Sequence, residues 1–226
     1  MQEKAEYLNR MSDLINPLLN RSGMIINSPF EYLAKKKKLM IVGYNPGNVP
    51  DINKTTINED WLRHTNDESF NALHESWGHY LPGCHPIQIF YQRLIDNTDL
   101  NETDILYTNL YWERSNGIED LEIDPILEKQ CKKAFFLNLE THQPECICFI
   151  GHSTEEIVSK EWAASSFRDG QPDDYPWGNQ KIKFQKIRFP ENTIRTFSIP
   201  HQSRFGIGYH DKRLESVLKA LYRCLN

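Results

Sequence analysis

Nothing in this chain of 226 residues approaches the roughly 18 consecutive apolar residues of a membrane helix, so no membrane partner is expected. The opening residues Met1 to Glu6 carry acids and lack the basic and apolar regions of a secretory signal. A cytoplasmic location is the matching expectation. No internal repeat, low-complexity tract or interdomain linker breaks the sequence. Five cysteines, Cys84, Cys131, Cys146, Cys148 and Cys224, form no even disulfide framework. At least three of them lie in apolar runs, so reduced thiols packed in a core are expected.

What is present suits a soluble globular protein: 39% apolar residues and 25% charged. The length fits one domain over residues 1–226, with an N-terminal helical extension over about 1–35. The net charge of −5 is uneven: from Lys181 onward ten Lys and Arg face three Asp and Glu, which leaves −12 for the rest. A basic face on an acidic body is compatible with a polyanionic partner, but argues against strong non-specific binding by the whole molecule. A solvated charged face is the plainer alternative.

The pattern along the chain alternates. Tyr7, Leu8, Met11, Leu14, Ile15 and Leu18 recur at helical spacing over 4–20, with Pro17 placed to kink or end that helix. The run Leu39-Met40-Ile41-Val42 follows the lysines Lys35 to Lys38, which read as a solvated lead-in, and is continuous enough for a strand buried on both faces. It meets Gly43-Tyr44-Asn45-Pro46-Gly47, which continues neither as strand nor smoothly as helix. Residues 44–65 then read as a long loop, followed by helices around 66–80 and 86–97. A second strand is expected at Asp104 to Tyr111. Asp124-Pro125 reads as an N-cap with proline at the first helical position. Cys146 to Gly151 reads as a third strand, followed by a capping box at Ser153 to Glu156. Residues 182–189 suggest an edge strand or hairpin arm. Thr193 to Ile199 reads as the fourth main strand, and a last helix carries Leu214, Val217, Leu218 and Leu221. Strand alternating with helix predicts an α/β fold of three layers, with a central four-stranded, mostly parallel sheet flanked by helices.

In such a sheet the carboxyl ends of the strands share one edge, where ligands bind. Those ends carry Asn45, Thr108-Asn109, Gly151-His152-Ser153 and His201-Gln202-Ser203-Arg204. Two amides and an imidazole suit a neutral heterocycle with mixed donors and acceptors better than a metal or a phosphate. His74, His79, Cys84 and His85 match no common structural zinc spacing. No metal is therefore expected. His152 reads as a loop residue before a helix cap.

The strand ends, taken in order, resemble those of the uracil-DNA glycosylase superfamily. Gly43-Tyr44-Asn45-Pro46-Gly47 resembles its first motif in the Gly-x-Asn-Pro-Gly form of mismatch-specific and single-strand-selective glycosylases. Tyr107-Thr108-Asn109-Leu110 resembles the segment whose Asn reads the base edge, and Pro200-His201-Gln202-Ser203-Arg204 the second motif, commonly His-Pro-Ser. The likeness spans roughly residues 38–205. It implies a monomeric, monofunctional hydrolase of the N-glycosidic bond of uracil, or a related damaged or mismatched base, flipped out of single- or double-stranded DNA. Asn45 and His201 would be catalytic: Asn45 would hold the attacking water and His201 would donate to the leaving base. Gly43, Tyr44, Gly47 and Asn109 would bind the base, and Ser203 and Arg204 the DNA backbone. Trp61, Trp77 and Tyr80 are the candidates for stacking on it. No cofactor is implied, and no four cysteines are spaced for an iron–sulfur cluster. A non-catalytic nucleobase or nucleic-acid binder of the same fold, or an N-glycosidase of free nucleosides or nucleotides, are the alternatives.

Overall fold

The computed structural model describes residues 2–33, 35–47, 55–163, 165–167, 175–177, 180–189, 193–201 and 212–226. Four parallel strands form the centre: β1 (Leu39–Gly43), β2 (Ile105–Asn109), β3 (Cys146–Ile150) and β7 (Thr193–Ile199), in the spatial order β2-β1-β3-β7. The sheet is wider than four strands. β6 (Gln180–Arg188) runs antiparallel to β7, and β4 (Ser165–Phe167) and β5 (Tyr175–Trp177) pair antiparallel with β6. The arm expected at 182–189 is therefore an internal strand.

Every residue of β1 and β3 is buried, and alternate side chains enter two different cores. Met40, Val42, Ile147 and Phe149 face one, and Leu39, Ile41, Cys146 and Cys148 face the other. This is the period of two expected of a strand covered on both faces. α1 (Gln2–Ile15) and α4 (Pro125–His142) close the first core. α1 buries Tyr7, Met11 and Ile15, four residues apart, and stops before Pro17, which lies in a single 3-10 turn over Asn16–Leu18. The Tyr7 hydroxyl donates to Asn138 Oδ1 of α4 at 2.7 Å, so this polar pair is satisfied inside the helix interface. α3 (Pro86–Asp96) and α6 (Lys212–Leu225) close the second core through Phe90, Leu94, Val217 and Leu221. The architecture is thus α/β with a mostly parallel sheet between helical layers. No helix among the described residues is long and apolar enough to cross a membrane.

Local signals were followed in part. Asp124 caps α4 by accepting from Ile126 and Leu127 N–H, with Pro125 at the first position. By contrast, 44–65 is not one loop. α2 (Ile57–Asn66) begins within it on a capping box between Thr56 and Glu59. The helix expected at 66–80 is absent: only a 3-10 turn, Ala72–His74, forms there, and Gly78 at φ +62° takes the backbone out of helical space. The capping box expected at Ser153 does not form either. α5 (His152–Ile157) starts two residues earlier than that box would place it, with Gly151 as a cap that has no side chain.

Two expectations about single side chains are corrected. Lys37 is only 1% exposed, although Lys35, Lys36 and Lys38 are exposed. Its ammonium donates to Tyr32 O at 2.7 Å and Thr103 O at 2.8 Å, so it satisfies the carbonyls of two short turns, and burial pushes its pKa down to about 8. Cys146 and Cys224 are joined in a disulfide, 78 residues apart in sequence, which ties the end of α6 to the start of β3. Cys84, Cys131 and Cys148 are free thiols. An odd count excludes complete pairing but not one pair.

Three buried titratable groups make stability depend on pH. His64, stacked on Phe30, and His142, edge-on to Tyr7, are both pushed down to about 4 by burial. Asp60, which accepts from Ile25 N–H, is pushed up to about 7 by burial. A histidine lowered on folding stabilises above its unfolded pKa, and that stability is lost as pH falls from about 6.5 to 4. Each is worth on the order of 3 kcal/mol. Asp60 acts with the opposite sign, since its buried carboxyl binds a proton more readily than in the unfolded chain. Chemical denaturation at pH 4.5, 6 and 7.5 should therefore show Asp60→Asn gaining stability relative to wild type as pH rises. Parallel curves for the two proteins would mean that Asp60 titrates as an exposed carboxylate does.

Candidate functional site

The register brings the four strand ends together. Gly43 pairs with Asn109 across β1 and β2, Val42 with Phe149 across β1 and β3, and Ile150 with Ile199 across β3 and β7. Asn45, Asn109, Gly151 and His201 therefore leave the sheet along one edge. Residues 44–47 are laced to the segment that follows β2. Leu110 N donates to Gly43 O, Tyr111 N to Tyr44 O and Ser115 N to Pro46 O, and Arg114 Nη1 donates to Gly47 O at 2.9 Å. Proline and glycine end the strand, and the backbone groups thus released are taken up by the neighbouring chain.

Within this lacing the Asn45 amide has one possible orientation. Its Nδ2 lies 3.2 Å from Pro46 O, 3.0 Å from Glu113 O and 2.9 Å from Ser115 Oγ. Carbonyls only accept, so the NH2 must face them, and Ser115 spends its own hydroxyl proton on Gly117 O. Oδ1 points the other way as an acceptor, and no donor among the described residues reaches it. A half-buried amide held like this can orient a water or an N–H group but cannot take up a proton.

Asn109 lies beside Gly43 for a steric reason. A Cβ at position 43 would stand 2.5 Å from Asn109 Oδ1, so only glycine lets that amide fold over the end of β1. The half-buried Asn109 amide makes no hydrogen bond to another described residue. At the next strand end, Gly151 takes φ +91°, and a Cβ there would lie 3.9 Å from Cδ2 of the His201 ring. His201 is half-buried above it. Beneath, His152 Nδ1 pairs with Ser198 Oγ at 2.8 Å and links α5 to β7.

Other expected residues are placed differently. Tyr44 is 5% exposed, and its ring packs edge-on to Tyr111 in the first core. Its side chain is thus withdrawn from the edge, because a residue directly after a buried strand continues the alternation of that strand. Gly47 bridges to Ser115 through its backbone. Of the candidate stacking aromatics, Trp61 packs edge-on to Phe30 within the first core. Trp77 and Tyr80 flank His85 instead, with ring centroids 5.1 Å and 5.0 Å from it. Gln202, Ser203 and Arg204 lie outside the described residues. His74 and His79 take separate partners: His74 meets Glu102 at 2.9 Å and His79 packs on Tyr80.

His85 and Ser115 also belong to this edge, Ser115 through its contact with Asn45. His85 opens the helix that crosses between the parallel neighbours β1 and β2 and so lies at their carboxyl edge; burial first, and then the neighbouring His201 and His79, push its pKa down to about 4. The dipeptide His85-Pro86 carried a local signal for a cap, but nothing in sequence placed it near His201. No protein-family model matches this chain, and no curated protein matches it.

Gly43→Ala tests the steric account. The atom it meets is the end of a movable side chain, so the melting temperature should fall by no more than a few degrees while the Asn109 amide is displaced. Side-chain NH2 resonances in a 1H–15N spectrum report that displacement. An unshifted Asn109 signal in a folded variant would refute it.

Proposed function

We propose that this chain binds a nucleobase at the carboxyl edge of its sheet and hydrolyses the N-glycosidic bond. It would act as a glycosylase of the uracil-DNA glycosylase type on uracil, or a related damaged or mismatched base, flipped from DNA. The observation that carries this reading is the forced orientation of Asn45, whose Oδ1 is turned out as an acceptor on the edge shared by Asn109 and His201.

In that reading water adds through its oxygen to C1′ of the sugar while the C1′–N bond breaks. The bonding pair departs with the base, and the proton released by water ends on it. Asn45 Oδ1 accepts a hydrogen bond from the water and sets its line of approach, which is catalysis by positioning. The base leaves with negative charge spread onto its carbonyl oxygens. His201 donates to that charge, an oxyanion-type interaction worth about 3 kcal/mol where it has been removed in other enzymes. Asn109, with one donor and one acceptor group, can pair with a pyrimidine edge that alternates carbonyl and N–H. Extrusion of the base is needed because these groups cannot reach it inside a stacked duplex.

The net charge of −5 favours a second reading, in which the substrate is a free nucleoside rather than DNA. One experiment separates them. Single- and double-stranded oligonucleotides carrying uracil, hypoxanthine or a G·U or G·T mismatch are incubated with the protein beside uridine and deoxyuridine. Alkali-labile sites should appear in DNA, and Asn45→Ala and His201→Ala should each lower the rate by about 10²–10³. Base release from nucleosides alone would select the second reading. No release from any substrate would reject hydrolysis.

A further inference from the structure

His85 sits at the N-cap of α3, and its surroundings assign its proton. Nδ1 accepts from Ile87 N–H at 3.2 Å, while His85 N–H donates to Gln88 Oε1 at 3.0 Å. A ring nitrogen that accepts a backbone N–H carries no hydrogen, so the neutral ring holds its proton on Nε2. The ring is also held in place. Trp77 stands tilted on one side, itself fixed by Nε1–H donating to Ala72 O at 2.7 Å, and Tyr80 meets the ring edge-on. Gln88 is buried and donates through Nε2 to Glu75 O at 2.7 Å, which locks the loop carrying both aromatics to α3.

Capping alone does not explain this residue. Asn, Asp, Ser and Thr are the preferred caps, and each would serve α3 with fewer atoms. What histidine adds is a second nitrogen, a rigid N–H donor on the far side of the ring, at the start of the helix that crosses between the parallel neighbours β1 and β2 and therefore at their carboxyl edge. We infer that His85 is a second recognition imidazole of the edge site, donating from Nε2–H to a carbonyl oxygen of the bound heterocycle. This rests on the reading of that edge as a nucleobase site.

The chemistry is complementary to that of His201. A neutral imidazole donates a hydrogen bond without bringing a full charge into the site, a pattern seen where a histidine abuts a helix N-terminus. With both imidazoles present, negative charge developing on a departing base meets two donors on one side. The ligand class follows: heterocycles with carbonyl oxygens, of which uracil is the simplest. Cytosine, which offers an amino group in place of one carbonyl, is disfavoured wherever that amino group would face the donor.

The test uses free uracil and the 15N-labelled full chain. In wild type, the His85 Nε2 resonance should shift on titration with uracil. His85→Asn keeps a strong cap and loses the distal donor, so it should match wild type in melting temperature while binding uracil about 10-fold more weakly. If the variant instead unfolds, the wild-type Nε2 shift decides. Unchanged uracil affinity in folded His85→Asn, or an unmoved Nε2 signal in uracil-bound wild type, would overturn the inference and leave the base-site reading in place. Weaker binding in the variant, with no glycosidic bond cleaved by either protein, would support the inference while rejecting hydrolysis. No binding of uracil to wild type would overturn both.

Discussion

Two backbone carbonyls facing one side-chain nitrogen impose the arrangement on which the candidate site depends. Pro46 O and Glu113 O can only accept, so Asn45 must present its NH2 to them and its oxygen outward. That assignment needs the Gly43–Gly47 segment to lie against residues 110–115, which the lacing of backbone hydrogen bonds and the Arg114–Gly47 contact provide. The lacing in turn needs β1 and β2 to be parallel neighbours in register, Gly43 beside Asn109. A slip of one residue would turn every side chain of β1 to the other core.

The interior holds several polar groups, and their partners explain why they are tolerated. Lys37 closes two short turns from inside, and Asp60 holds Ile25 N–H while feeling the charge of Arg114, whose guanidinium also reaches Gly47 O. A chain of interactions thus runs from α2 to the residues around Asn45. Satisfied buried polar groups select a single arrangement more sharply than apolar packing does, since any shift exposes an unpaired donor or acceptor. The site loop is held by such groups together with the buried ring of Tyr44.

Legibility in the sequence followed the range of the interaction. β1 and β3 could be read because a run of apolar residues bounded by turn residues has little else to do. The cap of α4 at Asp124-Pro125 could be read because both partners lie within three residues. The Thr56–Glu59 box carries the same kind of signal, but the polar character of 44–65 hides α2 behind the composition of a loop. The region 66–80 failed in the opposite way: its apolar and aromatic residues sit at spacings that mimic a helix, yet Gly78 turns the chain and Trp77 and Tyr80 pack on His85 instead. Tyr44 stands in the motif, but the alternation of the strand before it carries its ring into the core.

The sequence by itself determined the class of fold, the main strands and the identity of the polar residues at their ends, because those depend on periodicity and on backbone rules that act over a few residues. Only the tertiary structure decided which nitrogen Asn45 turns inward, why position 43 must be glycine beside Asn109, that His85 stands near His201, and that Cys146 meets Cys224. Each of these is a contact between segments distant in sequence. Burial and hydrogen-bond partners arise from packing, and local sequence carries no record of which segments packing will bring together.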